Sequence, residues 1–234
     1  NADDAKPLPT TVTITAGNTS ADAVVTAVDD FYKESAEALT ARITAVADQS
    51  SPESFENLIV GGQASATTTI TDESAPGPDD TVTLSIVGPA SVTEGDQTGN
   101  YTVKLTDPAN AAIAAEEDVV VTITYTGTAT DGADYTSQQS VTVAKGSTEA
   151  NFKLLTAIDF EADNNETIIL TIATQDDGGF EKLALGNSSV TTTIIEGEPN
   201  TVFAKITVDD SEIQEGGDIA TYTVALVDQG GAAV

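Results

Sequence analysis

The chain repeats itself at the scale of whole domains. Val12-Thr13-Ile14-Thr15-Ala16-Gly17 returns as Val141-Thr142-Val143-Ala144-Lys145-Gly146. Thr26-Ala27-Val28-Asp29 returns as Thr156-Ala157-Ile158-Asp159, and Phe55-Glu56-Asn57-Leu58 as Phe180-Glu181-Lys182-Leu183. Thr69-Ile70 then matches Thr193-Ile194. A second series pairs Glu94-Gly95 and Tyr101-Thr102-Val103 with Glu215-Gly216 and Tyr222-Thr223-Val224. A period of roughly 120–130 residues is too long for a solenoid unit and describes domains in tandem. Whatever fold one copy takes, the others must share.

The registers divide the chain. Residues 1–73 align with the second half of the central repeat, 74–80 form a linker, 81–198 hold a complete unit, and 199–234 align with its first half. One whole domain flanked by two partial ones is therefore expected. A window from a longer array is the simplest explanation. The alternative is a filament, in which the carboxy-terminal part of one molecule completes the amino-terminal part of another. Against it, the two pieces together lack counterparts of residues 114–140, so a shared domain would miss a strand or more.

Within the complete unit apolar and polar residues alternate. Leu84 and Ile86 alternate with Thr83 and Ser85; Tyr101, Val103 and Leu105 with Thr102, Lys104 and Thr106; Val121, Ile123 and Tyr125 with Thr122, Thr124 and Thr126. Ile168, Leu170 and Ile172 form another such run, and Val190, Thr192 and Ile194 close the unit. Runs of this length, rich in β-branched residues and bounded by Gly, Asp, Asn or Pro, read as strands. About seven of them without a convincing helix predict an all-β fold of tandem immunoglobulin-like β-sandwich domains. Cysteine is absent, so the apolar core must hold without the usual inter-sheet disulfide. Glu34–Val46 has helical composition, but its repeat partner Asn164–Ala173 favours a strand, so both copies are expected to be strands. Tyr101 and Tyr222 lie on the alternating face and are expected in cores.

Charge narrows the function. There are 38 acidic residues against 8 basic ones and no histidine, a formal charge of −30. Nucleic acid binding needs clustered Lys and Arg, and anionic lipid would be repelled too. No apolar run approaches the length of a membrane span, so no membrane insertion is expected in this segment. A Ser-His-Asp triad is impossible without histidine. A pair of glycosidase carboxylates would need sugar-stacking aromatics, and five Tyr, six Phe and no Trp supply few. The expectation is a protein that is not an enzyme.

The carboxylates themselves fall in loops. Asp29-Asp30-Phe31-Tyr32-Lys33-Glu34-Ser35-Ala36-Glu37 sits between two expected strands, and its partner is Asp159-Phe160-Glu161-Ala162-Asp163-Asn164-Asn165-Glu166. Upstream lie Glu94, in Thr93-Glu94-Gly95-Asp96, and Asp131-Gly132-Ala133-Asp134-Tyr135-Thr136. In a sandwich these loops would converge on one end, where the charges would repel unless a hard divalent ion neutralised them. Calcium accepts six to eight oxygens in irregular geometry, whereas zinc would want His or Cys.

These residues carry a family resemblance. Glu-Gly near the first strand, Gly-Ala-Asp-Tyr-Thr in mid-domain, then Ile-Asp and a later Glu before an alternating strand resemble the Calx-beta domain. The resemblance covers 81–198 wholly and each flanking piece in part. It implies calcium at one end of the sandwich, with Glu94, Asp134, Asp159 and Glu166 as ligands in the complete unit. Asp29, Asp30, Glu34 and Glu37 would serve the first unit and Glu215 the third. The central loop is one residue shorter and has Phe160 where a second Asp is expected, so Asp163 or Glu161 would compensate. Tandem, acidic, cysteine-free copies also resemble the extender region of very large bacterial adhesins of the repeats-in-toxin type, although no glycine-rich nonapeptide repeat occurs here. That resemblance implies a calcium-binding, calcium-rigidified spacer on the bacterial cell surface, extracellular, with neighbouring repeats as its partners. An adhesive tip is the remaining possibility, and no aromatic cluster supports it.

Overall fold

The computed structural model describes residues 5–6, 9–160, 165–198 and 200–234. Glu161 and Asp163, two of the expected ligands, lie outside the described residues. Among the described residues all regular structure is β. The strands are β1 (Glu37–Arg42), β2 (Ser65–Ile70), β3 (Thr81–Val87), β4 (Ser91–Thr93), β5 (Tyr101–Thr106), β6 (Val119–Gly127), β7 (Tyr135–Thr136) and β8 (Ser140–Val143). They continue as β9 (Glu149–Phe152), β10 (Leu155–Thr156), β11 (Thr167–Gln175), β12 (Lys182–Leu185), β13 (Ser189–Ile195), β14 (Phe203–Val208) and β15 (Tyr222–Val227).

The central strands form an immunoglobulin-like sandwich. One sheet runs β4-β13-β11-β6-β8, the other β12-β3-β5-β9, and a short β7–β10 pair lies beside them. The core is built by alternation. In β3 Val82, Leu84 and Ile86 are buried while Thr81, Thr83 and Ser85 are only half-buried, and β5 buries Tyr101, Val103 and Leu105 in the same way. From the opposite sheet come Val119, Val121 and Ile123 of β6 and Ile168, Leu170 and Ile172 of β11. A period of two puts these side chains on one face, so each sheet offers an apolar surface that only the other can cover.

Tyr101 pins the two sheets together. Its ring stacks on Phe152 with centroids 5.2 Å apart, and its hydroxyl meets Thr192 Oγ1 at 2.6 Å. Thr192 in turn donates to the Pro89 carbonyl at 2.8 Å, so the buried polar atoms form a closed chain. Gly88 has no side chain for a reason: a Cβ there would lie 2.3 Å from Tyr101 Cδ1.

Strand direction sorts the loops into two ends. β12 runs parallel to β3 and β13 parallel to β4, so the chain from Lys182 to Ile195 crosses the domain from one pole to the other. Asp80 and Glu181, just before β3 and β12, share the first pole. Glu94 and Glu196, just after β4 and β13, share the second.

The flanking segments carry one hairpin each. β14–β15 pairs Ile206 with Val224 and Ala204 with Leu226, matching Ile86 with Val103 and Leu84 with Leu105 in β3–β5. β1–β2 pairs Ala38 with Thr69, matching Thr167 with Thr193 in β11–β13. Glu37–Arg42 is thus a strand, not a helix. Tyr222 departs from the expectation of a core position. It is 67% exposed, because no second sheet covers β15 among the described residues.

Candidate metal centres

At the second pole one cavity of about 20 Å³ is lined by Glu94, Asp134, Asp159, Glu166 and Glu196, with Asn165 beside them. A space of that size holds one water-sized body. Four of the five carboxylates are those expected from the sequence; Glu196 is the addition. The backbone arranges them. Gly95 adopts φ of 78°, and a Cβ there would lie 2.3 Å from Ile158 Cγ1. The resulting close approach lets Asp159 N–H donate to Glu94 Oε1 at 2.6 Å. Thr130 N–H donates to Asp134 Oδ2 at 2.6 Å, and the Asp134 carbonyl accepts from Ala157 N–H at 2.8 Å. Thr156 Oγ1 donates to the Asp96 carbonyl at 2.8 Å, fastening the same corner. Asp131, by contrast, is not part of the cavity wall. Ser137 donates to it twice, from N–H at 2.9 Å and from Oγ at 2.6 Å, so it closes its own loop.

The first pole holds a second cluster, assembled from both sides of a linker. Oxygens of Asp29, Glu73 and Asp80 all lie within 4.8 Å of one another. Asp29 and Glu73 come from the residues ahead of the sandwich, and Asp80 stands immediately before β3. Asp80 is only 4% exposed and accepts from Gly77 N–H at 2.5 Å. The Asp80 carboxyl raises the Glu73 titration by direct contact. Glu181 stands behind this group, and its Oε2 is buried without a hydrogen-bond partner. Burial, then the charges of Glu73, Asp72, Asp80 and Asp29, push Glu181 up to about 7. Each cause works by disfavouring a further negative charge, which is what a cation would reverse.

The other carboxylates expected as ligands ahead of the sandwich lie between Asp29 and the start of β1. Asp30 Oδ1 accepts from Tyr32 N–H at 2.7 Å and turns the chain. Glu34 N–H donates to Asp72 Oδ2 at 2.6 Å, while Glu37 opens β1. Glu215 is exposed in the turn before β15. At the junction with the third repeat Asn200 occupies the position that Asp80 holds at the first, and its Nδ2 donates to the Asp159 carbonyl at 2.8 Å. Glu181 escaped the sequence reading, though its recurrence as Glu56 within Phe-Glu-x-Leu was a usable signal.

The family model of the LapA domain matches residues 80–197, half of the chain. The chain belongs to the LapA domain family. The LapA match begins at Asp80, the buried carboxylate of the first pole, and ends beside Glu196 of the second. Similar solved structures include the apo-form Calx CBD1 domain, 15% identical, covering 50% of this chain and 98% of that one with a TM-score of 0.40. CBD12 from CALX1.2 is 12% identical over 64% of this chain and 73% of that one, also with a TM-score of 0.40. The calcium binding domain CBD12 of CALX1.1 is 18% identical over 49% of this chain and 44% of that one, TM-score 0.38. No curated protein matches the chain in sequence. Among the described residues no helix is long and apolar enough to cross a membrane.

Both clusters offer only oxygen, and the chain has no histidine or cysteine to offer anything softer. Such donor sets suit calcium rather than zinc. The orphaned Glu181 Oε2 and the crowded carboxyls at the first pole fit a hard cation as well.

Proposed function

We propose that the chain is a calcium-binding, calcium-stiffened spacer of a large bacterial cell-surface adhesin, exposed outside the cell and partnered by its own neighbouring repeats. The domain division at 74–80 and 199 and the extender role belong to this proposal. One observation carries it: Asp29 and Glu73 from one repeat and Asp80 from the next bring oxygens within 4.8 Å of one another. A cation held there would link two repeats through their shortest connection. Glu181 stands close enough to feel all three charges. Glu94, Asp134, Asp159, Glu166 and Glu196 would hold calcium at the other pole, with Glu161 or Asp163 as further donors.

When bound, calcium supplies positive charge that neutralises converging carboxylates. The chain supplies the rest. Backbone N–H groups hold Glu94, Asp134 and Asp80 in place, and the short linker keeps the two repeats adjacent. An ion present at a hundredfold its dissociation constant adds about 2.7 kcal/mol per site. Calcium should therefore raise the melting temperature above its value in chelator. If chelator leaves the melting temperature unchanged, the proposal is wrong.

A second reading is a filament of split sandwiches. It is favoured by the exposed faces of the two hairpins, where Ile206, Val224 and Leu226 occupy positions whose counterparts are fully buried in β3–β5. Sedimentation would decide it: chain that stays monomeric with calcium at high concentration retires the filament.

A further inference from the structure

The two repeats touch through more than carboxylates. Phe31–Lys33 lies against the corner Asp177–Glu181 of the sandwich through a single antiparallel bridge. Lys33 N–H donates to the Gly179 carbonyl at 2.8 Å, and Glu181 N–H to the Phe31 carbonyl at 3.0 Å. Between these bonds Tyr32 pairs with Phe180, ring on ring, with centroids 5.6 Å apart and planes 22° from parallel. The Tyr32 hydroxyl reaches further in and donates to the Ala114 carbonyl at 2.8 Å. Phe180 is fully buried and belongs to the core, so the peg is seated on the sandwich interior rather than on a loop surface. The receiving corner is shaped for it. Gly178 and Gly179 both have positive φ, and a Cβ on Gly178 would lie 2.3 Å from Val119 Cγ2.

We infer that Phe31–Lys33 is a peg by which one repeat docks into the Ala114 and Asp177–Glu181 corner of the next, fixing the joint without metal. Its bonds are backbone amides, a stacked ring and a phenol, none of which requires a cation. The same peg positions the carboxylate cluster. Asp29 stands two residues before Phe31, and the Glu181 N–H is bonded to the peg itself. Seating the peg therefore brings Asp29 to Glu73, Asp80 and Glu181 before any ion arrives. Tyr32 and Lys33 are positioning residues in that sense.

Part of the joint recurs along the chain: the Phe-Glu corner and one loop phenylalanine do, while Tyr32 has no aromatic counterpart after Phe160. Phe55-Glu56 matches Phe180-Glu181, and Phe55 presents its ring 59% exposed. Phe160 follows Asp159 where Asp30 and Phe31 follow Asp29, and it is exposed as well. The partner that fits these surfaces is another copy of the same repeat, bringing an aromatic loop to a Phe-Glu corner.

The inference uses the tandem reading proposed above but not its calcium, and the test separates them. The chain has no cysteine, so spin labels can be placed uniquely through Thr69→Cys on β2 and Thr124→Cys on β6. Distances between them are then read in the full chain, in chelator and in calcium. In chelator the otherwise unaltered chain should give one narrow distribution. Relative motion is the default for small interfaces, so Tyr32→Ala and Lys33→Pro, which removes the N–H to Gly179, should each widen it about twofold or more. Lys205→Ala, on β14 and outside the peg and its corner, should leave it unchanged. Calcium should narrow the Tyr32→Ala distribution again, but at about tenfold higher concentration than the unaltered chain needs to bind it. Lys33→Pro keeps the test open should Tyr32→Ala unfold the first hairpin. A broad distribution in chelator for the unaltered chain, or no widening in Lys33→Pro, overturns the peg. Widening in chelator with no effect of calcium on any variant supports the peg and overturns the calcium reading alone.

Discussion

Burial and four neighbouring carboxylates push the Glu181 carboxyl from an ordinary value of 4.5 to about 7. Between those values the folded chain keeps a proton that the unfolded chain has released. Its contribution to stability is therefore complete below the unfolded value and is lost as pH rises through about 7. In chelator the melting temperature should fall across that window, and Glu181→Gln should flatten the slope. Some slope will remain, because contact with Asp80 raises Glu73 too. Asp177 and Asp209 are lowered, Asp177 by Lys33 and Asp209 by the Thr221 N–H, so their contributions are lost only at more acid pH. A melt series in chelator that is flat for the unaltered chain would contradict this account of Glu181. A second residue-scale test concerns the buried Tyr101 hydroxyl. Tyr101→Phe removes its bond to Thr192 and should cost about 1 kcal/mol in denaturant unfolding. Glu94, Asp159 and Glu166 were legible because they recur at fixed places in the chain, whereas Asp134 rested on the family resemblance. Glu181 was not, because its burial and the charges of Glu73, Asp72, Asp80 and Asp29 arise only in the folded chain, and recurrence as Glu56 marks the position but not that neighbourhood.

At the scale of elements, burial depends on what faces a strand and not on the strand alone. Ile86 and Ile206 hold the same register position in β3 and β14, yet Ile86 is fully buried and Ile206 is 65% exposed. Ile86→Ala should cost about 2–5 kcal/mol, the usual range for a core truncation. Ile206→Ala should stay within about 0.5 kcal/mol. Equal losses would mean that β14–β15 is covered in solution, which favours the filament. The long strands were readable because alternation over six or more residues leaves one consistent apolar face, as in β3, β5, β6 and β11. β4, β7 and β10 were not, since two or three residues cannot display a period. Tyr222 shows the limit of such reading. Its strand was legible, but its exposure follows from there being no opposite sheet over β15 among the described residues.

The whole molecule sets a charge of −30 against a sandwich whose poles both gather carboxylates. Repulsion of that size opposes close approach of successive repeats, and only part of it is screened at physiological salt. Two devices act against it at the first joint: an aromatic peg indifferent to ions, and an oxygen cluster suited to calcium. The composition announced the charge, but only the topology shows that β3 and β12 start at the pole where Asp29 and Glu73 lie. The most direct test is a calcium titration of the full chain followed by calorimetry, repeated with Asp80→Asn. The account predicts uptake with dissociation constants near 10⁻⁴–10⁻³ M, as for extracellular calcium modules, and loss of the junction site in Asp80→Asn. No uptake in that range, or identical binding by the variant, would contradict it.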